Sequence, residues 1–296
     1  MSGAPYAEGA LHVAGLWVYP VKSLGGVALR EAAVGPLGID GDRRWVLVDP
    51  GGIALTQREH AGLALFTVSL GEGGRVTVAA PGGGALVLEP PPPDAPRRRA
   101  EVFGDVVDGL AMPAGVDAWF AERLGAPCHL VALPPDADRR VDPRYAGPAD
   151  RTAFTDGYPV LVAGQASLDD LNARLAARGA APLGIERFRP SVLVAGGAPY
   201  AEDGWAGLRA GGAELALVKP CARCVVTTVD PRRGVRDGPE PLRTLAEYRR
   251  RGDKVLFAQN ALVRAPGVVR VGDPVLAWAA ADARAAAGRR TDGPSA

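Results

Sequence analysis

Residues 219–231 read KPCARCVVTTVDP and hold two of the chain's three cysteines, Cys221 and Cys224. Two thiols at this spacing admit four chemistries: a redox dithiol, half of a zinc site, one soft ligand for another metal, or a pair of small buried hydrophobes. A thioredoxin-like pair needs its first cysteine at a helix N-terminus, where the dipole and free amides stabilise a thiolate. The residues that follow here, Val225, Val226, Thr227, Thr228 and Val229, are strand formers. A structural zinc site needs four ligands, and the adjacent Cys128 and His129 could complete one, but no second CxxC supports it. A loop ahead of a strand can present one thiolate with Lys219 and Arg223 nearby to stabilise it. Such a thiolate suits a soft metal or sulfur chemistry.

Basic residues recur at the ends of apolar runs. Lys22 and Ser23 lie in YPVKSLGG, Arg43 and Arg44 in GDRRW, Arg58 in TQRE, and Arg189 in RFRPS. Each by itself reads as a solvated charge. Brought to one mouth, the guanidinium forks would bind phosphate bidentately and the lysine would act as a point charge. The junction of two sheet-built regions is the usual place for such a pocket.

The elements that must position these groups are mostly strands. From Leu11 to about Leu88 the apolar residues come in short runs (LHVAGLWVYP, GVALREAAV, RRWVLVD, IALTQ, LALFTVSL, RVTVAA, ALVLEP) cut by DPGG and GEGG. That spacing favours an antiparallel, barrel-like or sandwich sheet. PPPPDAPRRR reads as a loop. Val116, Trp119, Phe120 and Leu124 share a face in VDAWFAERL, a helix that Gly125 can end. CHLVAL is a further strand, and DADRRVDPRYAGPAD has no periodicity and reads as a long junction loop. YPVLVAG is a strand. SLDDLNARLAARG reads as a helix with Ser167 and Asp170 as a capping box and Gly179 after its end. SVLVAG, AELALVK, CVVTTVD, NALVRA and PVLAWA read as strands, with a short helix at EPLRTLAEYRR.

With 296 residues, 47% of them hydrophobic, the chain is long enough for two cores. Its 34 Lys+Arg against 33 Asp+Glu leave no whole-surface field for nucleic acid. Three cysteines do not make a disulfide scaffold. MSGAPYAEGALHVAG lacks the regions of a signal peptide, and no apolar run approaches the roughly 20 residues of a membrane span, so a soluble cytoplasmic protein without membrane or nucleic-acid partners is expected. No GxGxxG or GxxxxGK[ST] motif occurs.

Taken in order, YPVKSLGG, GIDGDRRWVLVD, ALTQREHAGL, FTDGYPVLV, ASLDDLNARL, RFRPS, APYAEDGW, KPCARCVVTTVDP, GPEPLRTLAEYR and VRVGDPV resemble MOSC-domain proteins that carry an N-terminal MOSC β-barrel domain. This group contains the mitochondrial amidoxime-reducing components and their bacterial relatives. The resemblance spans about residues 11 to 278. It implies a mainly β fold with a few helices: an N-terminal β-barrel-like domain (11–130) and a C-terminal MOSC β-barrel domain (151–278), with the junction loop (131–150) between them; beyond the resemblance, the alanine-rich end (279–296) has nothing to bury and reads as a disordered tail. It further implies a molybdenum cofactor, a molybdenum-bearing pyranopterin, with Cys224 as the ligand to the metal. Lys22, Ser23, Arg43, Arg58 and Arg189 would hold the pterin and its phosphate, Thr155, Asp156 and Gly157 would form a loop along it, and Ala222 and Arg223 would flank the ligand. Where the family often has asparagine after FRP, this chain has Ser191.

The chemistry implied is two-electron reduction of N-hydroxylated small molecules such as amidoximes, hydroxylamines and N-hydroxylated bases. The chain runs eighteen residues past Trp278 without a further cysteine, so a separate ferredoxin-like or flavin reductase is expected as electron donor. Two other readings stay open: a carrier or transferase with a persulfide on Cys224, and a non-catalytic cofactor-binding module.

Overall fold

The computed structural model describes residues 10–279; most of the expected tail lies outside them. The chain is mainly β with three α-helices, Ala114–Leu124, Gln165–Ala176 and Leu242–Tyr248, among the described residues. The largest sheet runs in the order Val27–Leu29, His12–Val18, Val192–Ala195, Val160–Gly164, Lys254–Ala265, Ala213–Ala222, Trp205–Ala210, Val275–Ala279. Its centre is the twelve-residue strand Lys254–Ala265, in which the expected NALVRA segment is only the second half. Val160–Gly164 and Val192–Ala195 run parallel, and helix Gln165–Ala176 lies in the connection that parallel strands require. A four-stranded sheet orders Trp45–Val48, His129–Ala132, Asp105–Ala111 and Arg97–Val102, and Thr67–Leu70, Val76–Ala79 and Ala85–Leu88 form a separate meander.

The expected β-barrels are not present in either half. Every sheet is an open path among the described residues. The ends of the large sheet approach only through the isolated bridge between His12 and Pro274 and scattered backbone bonds such as Val13 N to Asp273 O, 2.9 Å. Closure needs a continuous ladder of consistent stagger. Here the register of His12–Val18 slips between Val13 and Gly15, and its residues Leu16 to Val18 are already paired with Val27–Leu29.

Sheet membership also crosses the halves of the chain. His12–Val18 pairs with Val192–Ala195, and Glu31–Gly35 with Gly267–Arg270. The first core therefore joins Val13, Leu16 and Val18 to Val162, Val194, Leu215 and Ala261. A second core gathers Leu47, Phe66, Val78, Phe120 and Leu130 under the four-stranded sheet and the meander. At one seam between distant segments Gly38, at φ 91°, lies so close to the Pro159 carbonyl that a Cβ would sit 2.2 Å from its oxygen; no other residue fits that approach.

Three local expectations are corrected. PPPPDAPRRR is not all loop, since Arg97–Val102 pairs with Asp105–Ala111 as a hairpin whose Val102 and Val107 are buried. Helix Gln165–Ala176 begins before Ser167, so no capping box forms; Ser167 is buried and donates to Glu202 Oε1 at 2.8 Å. The run after Cys224 is a 3₁₀ turn, Val225–Thr228, with a strand only at Val229–Asp230. Thr227 Oγ1 donates to Cys224 O at 3.0 Å and Thr228 Oγ1 to Val225 O at 2.8 Å. Those local bonds compete with a sheet ladder and overrule β propensity. Helix Ala114–Leu124 agrees with its expected face, with Val116 and Phe120 buried and Gly125 at φ 67°. No helix among the described residues is long and apolar enough to cross a membrane.

Candidate functional site

The strand-to-turn junction at Tyr19–Leu24 carries the first basic group. Lys22 N donates to Trp45 O at 2.8 Å, which docks this turn on the four-stranded sheet and leaves the Lys22 side chain facing a cavity of about 260 Å3. The turns at 42–44 and 56–58 also reach it, as do the loop 155–159, the turn 188–191 and the segment 219–226. The twelve residues assigned above to the metal and cofactor line this one cavity: Lys22, Ser23, Arg43, Arg58, Thr155, Asp156, Gly157, Arg189, Ser191, Ala222, Arg223 and Cys224; Lys219 and Cys221 join them, whereas Arg44 stays outside, 3.7 Å from Asp40.

Six cations line the cavity, the sixth being Lys219, against the single carboxylate of Asp156. Such a wall selects an anion. Lys22, 5% exposed, donates to Asp156 Oδ1 at 2.5 Å, and Arg58 Nη2 lies 3.6 Å from Asp156 Oδ2. Desolvation works to raise the Asp156 carboxyl, but Lys22 and then Arg58 outweigh it and hold the group well below the usual carboxylate range. Burial pulls Lys22 below its ordinary value even though Asp156 lifts it. A carboxyl depressed in the fold adds stability above its unfolded value of about 4, and that stability is lost as pH falls through the lowered value. Between pH 6 and pH 3 the wild-type melting temperature is therefore expected to fall further than that of Asp156→Asn. The side chain is 68% exposed, so the difference should be small; equal falls would refute the pairing.

Around Tyr19 the basic groups are ordered by stacking. Arg43 Cζ and Arg189 Cζ lie 4.3 and 4.2 Å from the centroid of its buried ring. Arg43 Nη1 donates to the fully buried Asp42 at 2.5 Å, and Arg189 Nη1 donates to Leu24 O at 2.7 Å. Arg189 is pushed down to about 10, first by burial and then by Arg43, and so remains cationic at neutral pH. Ser23, Arg43 and Arg189 all take positive φ, at 70°, 47° and 53°. Backbone held in this region costs of order 1–3 kcal/mol per residue and gathers where a site dictates side-chain direction.

The two thiols take different partners. Arg58 Nη2 donates to Cys224 Sγ at 3.4 Å, while Arg223 Nη1 donates to Cys221 Sγ at 3.0 Å. Both cysteines are unpaired and partly exposed. The zinc reading fails because Cys128 is buried in the second core and His129 Nδ1 lies 2.7 Å from Asp117 Oδ2. Among the described residues no group of three or more His, Cys, Asp or Glu could hold a metal ion alone. The donor set is thus two soft sulfurs, Cys221 and Cys224, in a cationic cradle, too few to hold a metal alone and suited to one delivered within an anionic cofactor. Donors without partners suit it too: Arg189 Nη2, Arg223 Nε and Tyr158 Oη, all on lining residues, are buried and unsatisfied. Ser191, in the place of the family asparagine, is 1% exposed, and its Oγ accepts from Leu161 N at 3.2 Å, fixing the turn after Arg189 to the sheet.

Sequence reasoning missed Thr56, Gln57, Tyr158 and Asn260 in the lining, and Arg139 behind it. Gln57 Nε2 donates to Ser23 O at 2.6 Å. Arg139, 5% exposed, donates through Nη1 to Ala153 O at 2.7 Å and Thr155 O at 2.6 Å, and so holds the loop that carries Asp156. Tyr158 lies inside the quoted FTDGYPVLV motif and was within reach; nothing in DADRR marks its second-last arginine as buried.

Two family models match the chain: the MOSC N-terminal beta barrel domain over residues 10–127 and the MOSC domain over residues 149–276. The chain is 34% identical over 280 residues to mitochondrial amidoxime-reducing component 1 of Homo sapiens, covering 89% of this chain and 82% of that protein. It is 32% identical over 280 residues to mitochondrial amidoxime reducing component 2 of Homo sapiens, with the same coverage of 89% and 82%. A 31% identical match over 264 residues to the molybdenum cofactor sulfurase of Oryza sativa subsp. japonica covers 83% of this chain and 32% of that longer protein. With both models matched in tandem and the cationic, thiol-bearing cavity lined from both matched regions, the chain belongs to the MOSC-domain family, related to the mitochondrial amidoxime-reducing components.

Proposed function

We propose that the cavity binds the molybdenum cofactor and that the protein is a two-electron reductase of N-hydroxylated compounds such as amidoximes, hydroxylamines and N-hydroxylated bases. Family membership supports a molybdenum-cofactor-associated oxidoreductase in general terms. The observation that carries the reading is the meeting of two partly exposed thiols, Cys224 bonded by Arg58 and Cys221 by Arg223, with six cations, of which Arg189 and Arg223 each keep a buried nitrogen without a partner. Cys224 would ligate the metal. Lys22, Arg43, Arg58, Arg189 and Arg223 would neutralise the phosphate and the dithiolene end, with Ser23, Thr155, Gly157, Ser191 and Ala222 shaping the wall. When bound, the cofactor supplies the two-electron couple; the protein supplies binding, orientation and electrostatics. Electrons would come from a separate ferredoxin-like or flavin reductase, and a cytoplasmic location goes with the same reading.

Protein purified from a host that makes the cofactor should contain near-stoichiometric molybdenum and pterin. With a reduced viologen dye as donor it should reduce benzamidoxime and 6-hydroxylaminopurine. Absence of both metal and pterin would end the proposal. Similarity to the rice sulfurase favours a second reading, in which Cys224 carries a persulfide. Incubation with a cysteine desulfurase and cysteine would then add one sulfur atom to the intact mass, at Cys224. Bound pterin without turnover of any substrate would instead mark a binding module.

A further inference from the structure

Phe103 stands where a tight hairpin has least use for it. Asp105 pairs with Val102, which leaves Phe103 and Gly104 as the two-residue loop between Arg97–Val102 and Asp105–Ala111. Both take positive φ, 55° and 88°. Two-residue turns with positive φ at both positions favour Asn, Asp or Gly at the first, and a bulky residue there is a backbone outlier. Burial does not offset the strain, because the residue is 53% exposed.

What the position does achieve is contact with the cavity's cations. Arg58 Cζ lies 4.5 Å and Lys22 Nζ 5.1 Å from the centroid of the ring. Both groups line the cavity, and the same Arg58 guanidinium is 3.4 Å from Cys224 Sγ. The aromatic ring is therefore one side chain removed from the sulfur, at the edge of the cavity rather than in its lining, anchored by two cations and carried by an exposed residue.

We propose that Phe103 is a specificity-determining residue, a stacking platform that favours flat heteroaromatic N-hydroxylated substrates over aliphatic hydroxylamines. The inference rests on the reductase reading of the cavity. Every nucleobase or similar heterocycle offers a π-face, so stacking on an exposed ring attracts the class without selecting one member. An aliphatic hydroxylamine has no such face and gains nothing.

The test uses cofactor-loaded protein, with calorimetric titration of adenine, the reduced form of 6-hydroxylaminopurine, alongside steady-state kinetics. Phe103→Ala should bind adenine about tenfold more weakly. Its KM for 6-hydroxylaminopurine should rise by about the same factor with kcat little changed, and its KM for N-methylhydroxylamine should not move. Phe103→Trp should restore both values. Phe103→Gly, which suits the positive φ, should lose adenine affinity equally while melting no lower than Phe103→Ala. Unchanged adenine affinity in the Ala and Gly variants would overturn the proposal. So would equal changes for both substrates, which would mean that the ring only holds Lys22 and Arg58 in place. A rise in KM for the electron donor alone would also overturn it and point to protein docking around Phe103 and the exposed Ile53 and Val106. Those three outcomes leave the reductase reading standing, whereas wild-type protein that holds no molybdenum and reduces neither substrate removes both.

Discussion

Cys224→Ser is expected to lose essentially all bound molybdenum and all N-hydroxy reduction while melting within a few degrees of the wild type in the cofactor-free state. The hydroxyl is a harder, far less acidic ligand than the thiol and does not replace it on a soft metal centre. Cys224 is only partly buried, and its Sγ accepts one hydrogen bond, from Arg58 Nη2 at 3.4 Å, so little packing is lost. Cys221→Ser is the control. Its sulfur accepts from Arg223 rather than Arg58, and that variant should retain most of the metal. Metal content by mass spectrometry of elements, read beside thermal melting without cofactor, separates the two. Equal metal loss in both variants would restore a paired CxxC site and overturn the single-ligand assignment.

Arg139→Leu should destabilise the fold by about 2–6 kcal/mol, because two buried carbonyls, those of Ala153 and Thr155, lose their donor at about 1–3 kcal/mol each. Its guanidinium also lies 3.0 Å from Asp105, but that carboxylate is 56% exposed and water can take over. Denaturant unfolding of cofactor-free protein measures the loss. A second consequence is local: the loop carrying Thr155, Asp156 and Gly157 would loosen, so cofactor should leave Arg139→Leu faster than it leaves wild type at temperatures where both are folded. A stability loss under about 1 kcal/mol would mean that water reaches these carbonyls and that the loop does not depend on Arg139.

Residue chemistry made the site legible before its geometry was known. Lys22, Arg43, Arg58, Arg189 and Cys224 are types whose charge or softness restricts what they can do, and their ordered motifs identify the family. The strand content and the helix at Ala114–Leu124 were legible for a similar reason, since burial of one face imposes a period on the sequence. Closure of a sheet is another matter: it depends on register and stagger between strands far apart in the chain, which no local period encodes, and here the sheets stay open. The same holds for the β-branched run after Cys224, where threonine hydroxyls returned to backbone carbonyls turn apparent strand formers into a 3₁₀ turn. Only tertiary structure could assign Arg139, whose role arises from carbonyls 14 and 16 residues away, and Phe103, whose ring meets Lys22 and Arg58 across two different turns. Local sequence therefore determined which groups were available, and long-range backbone pairing decided which of them face one another.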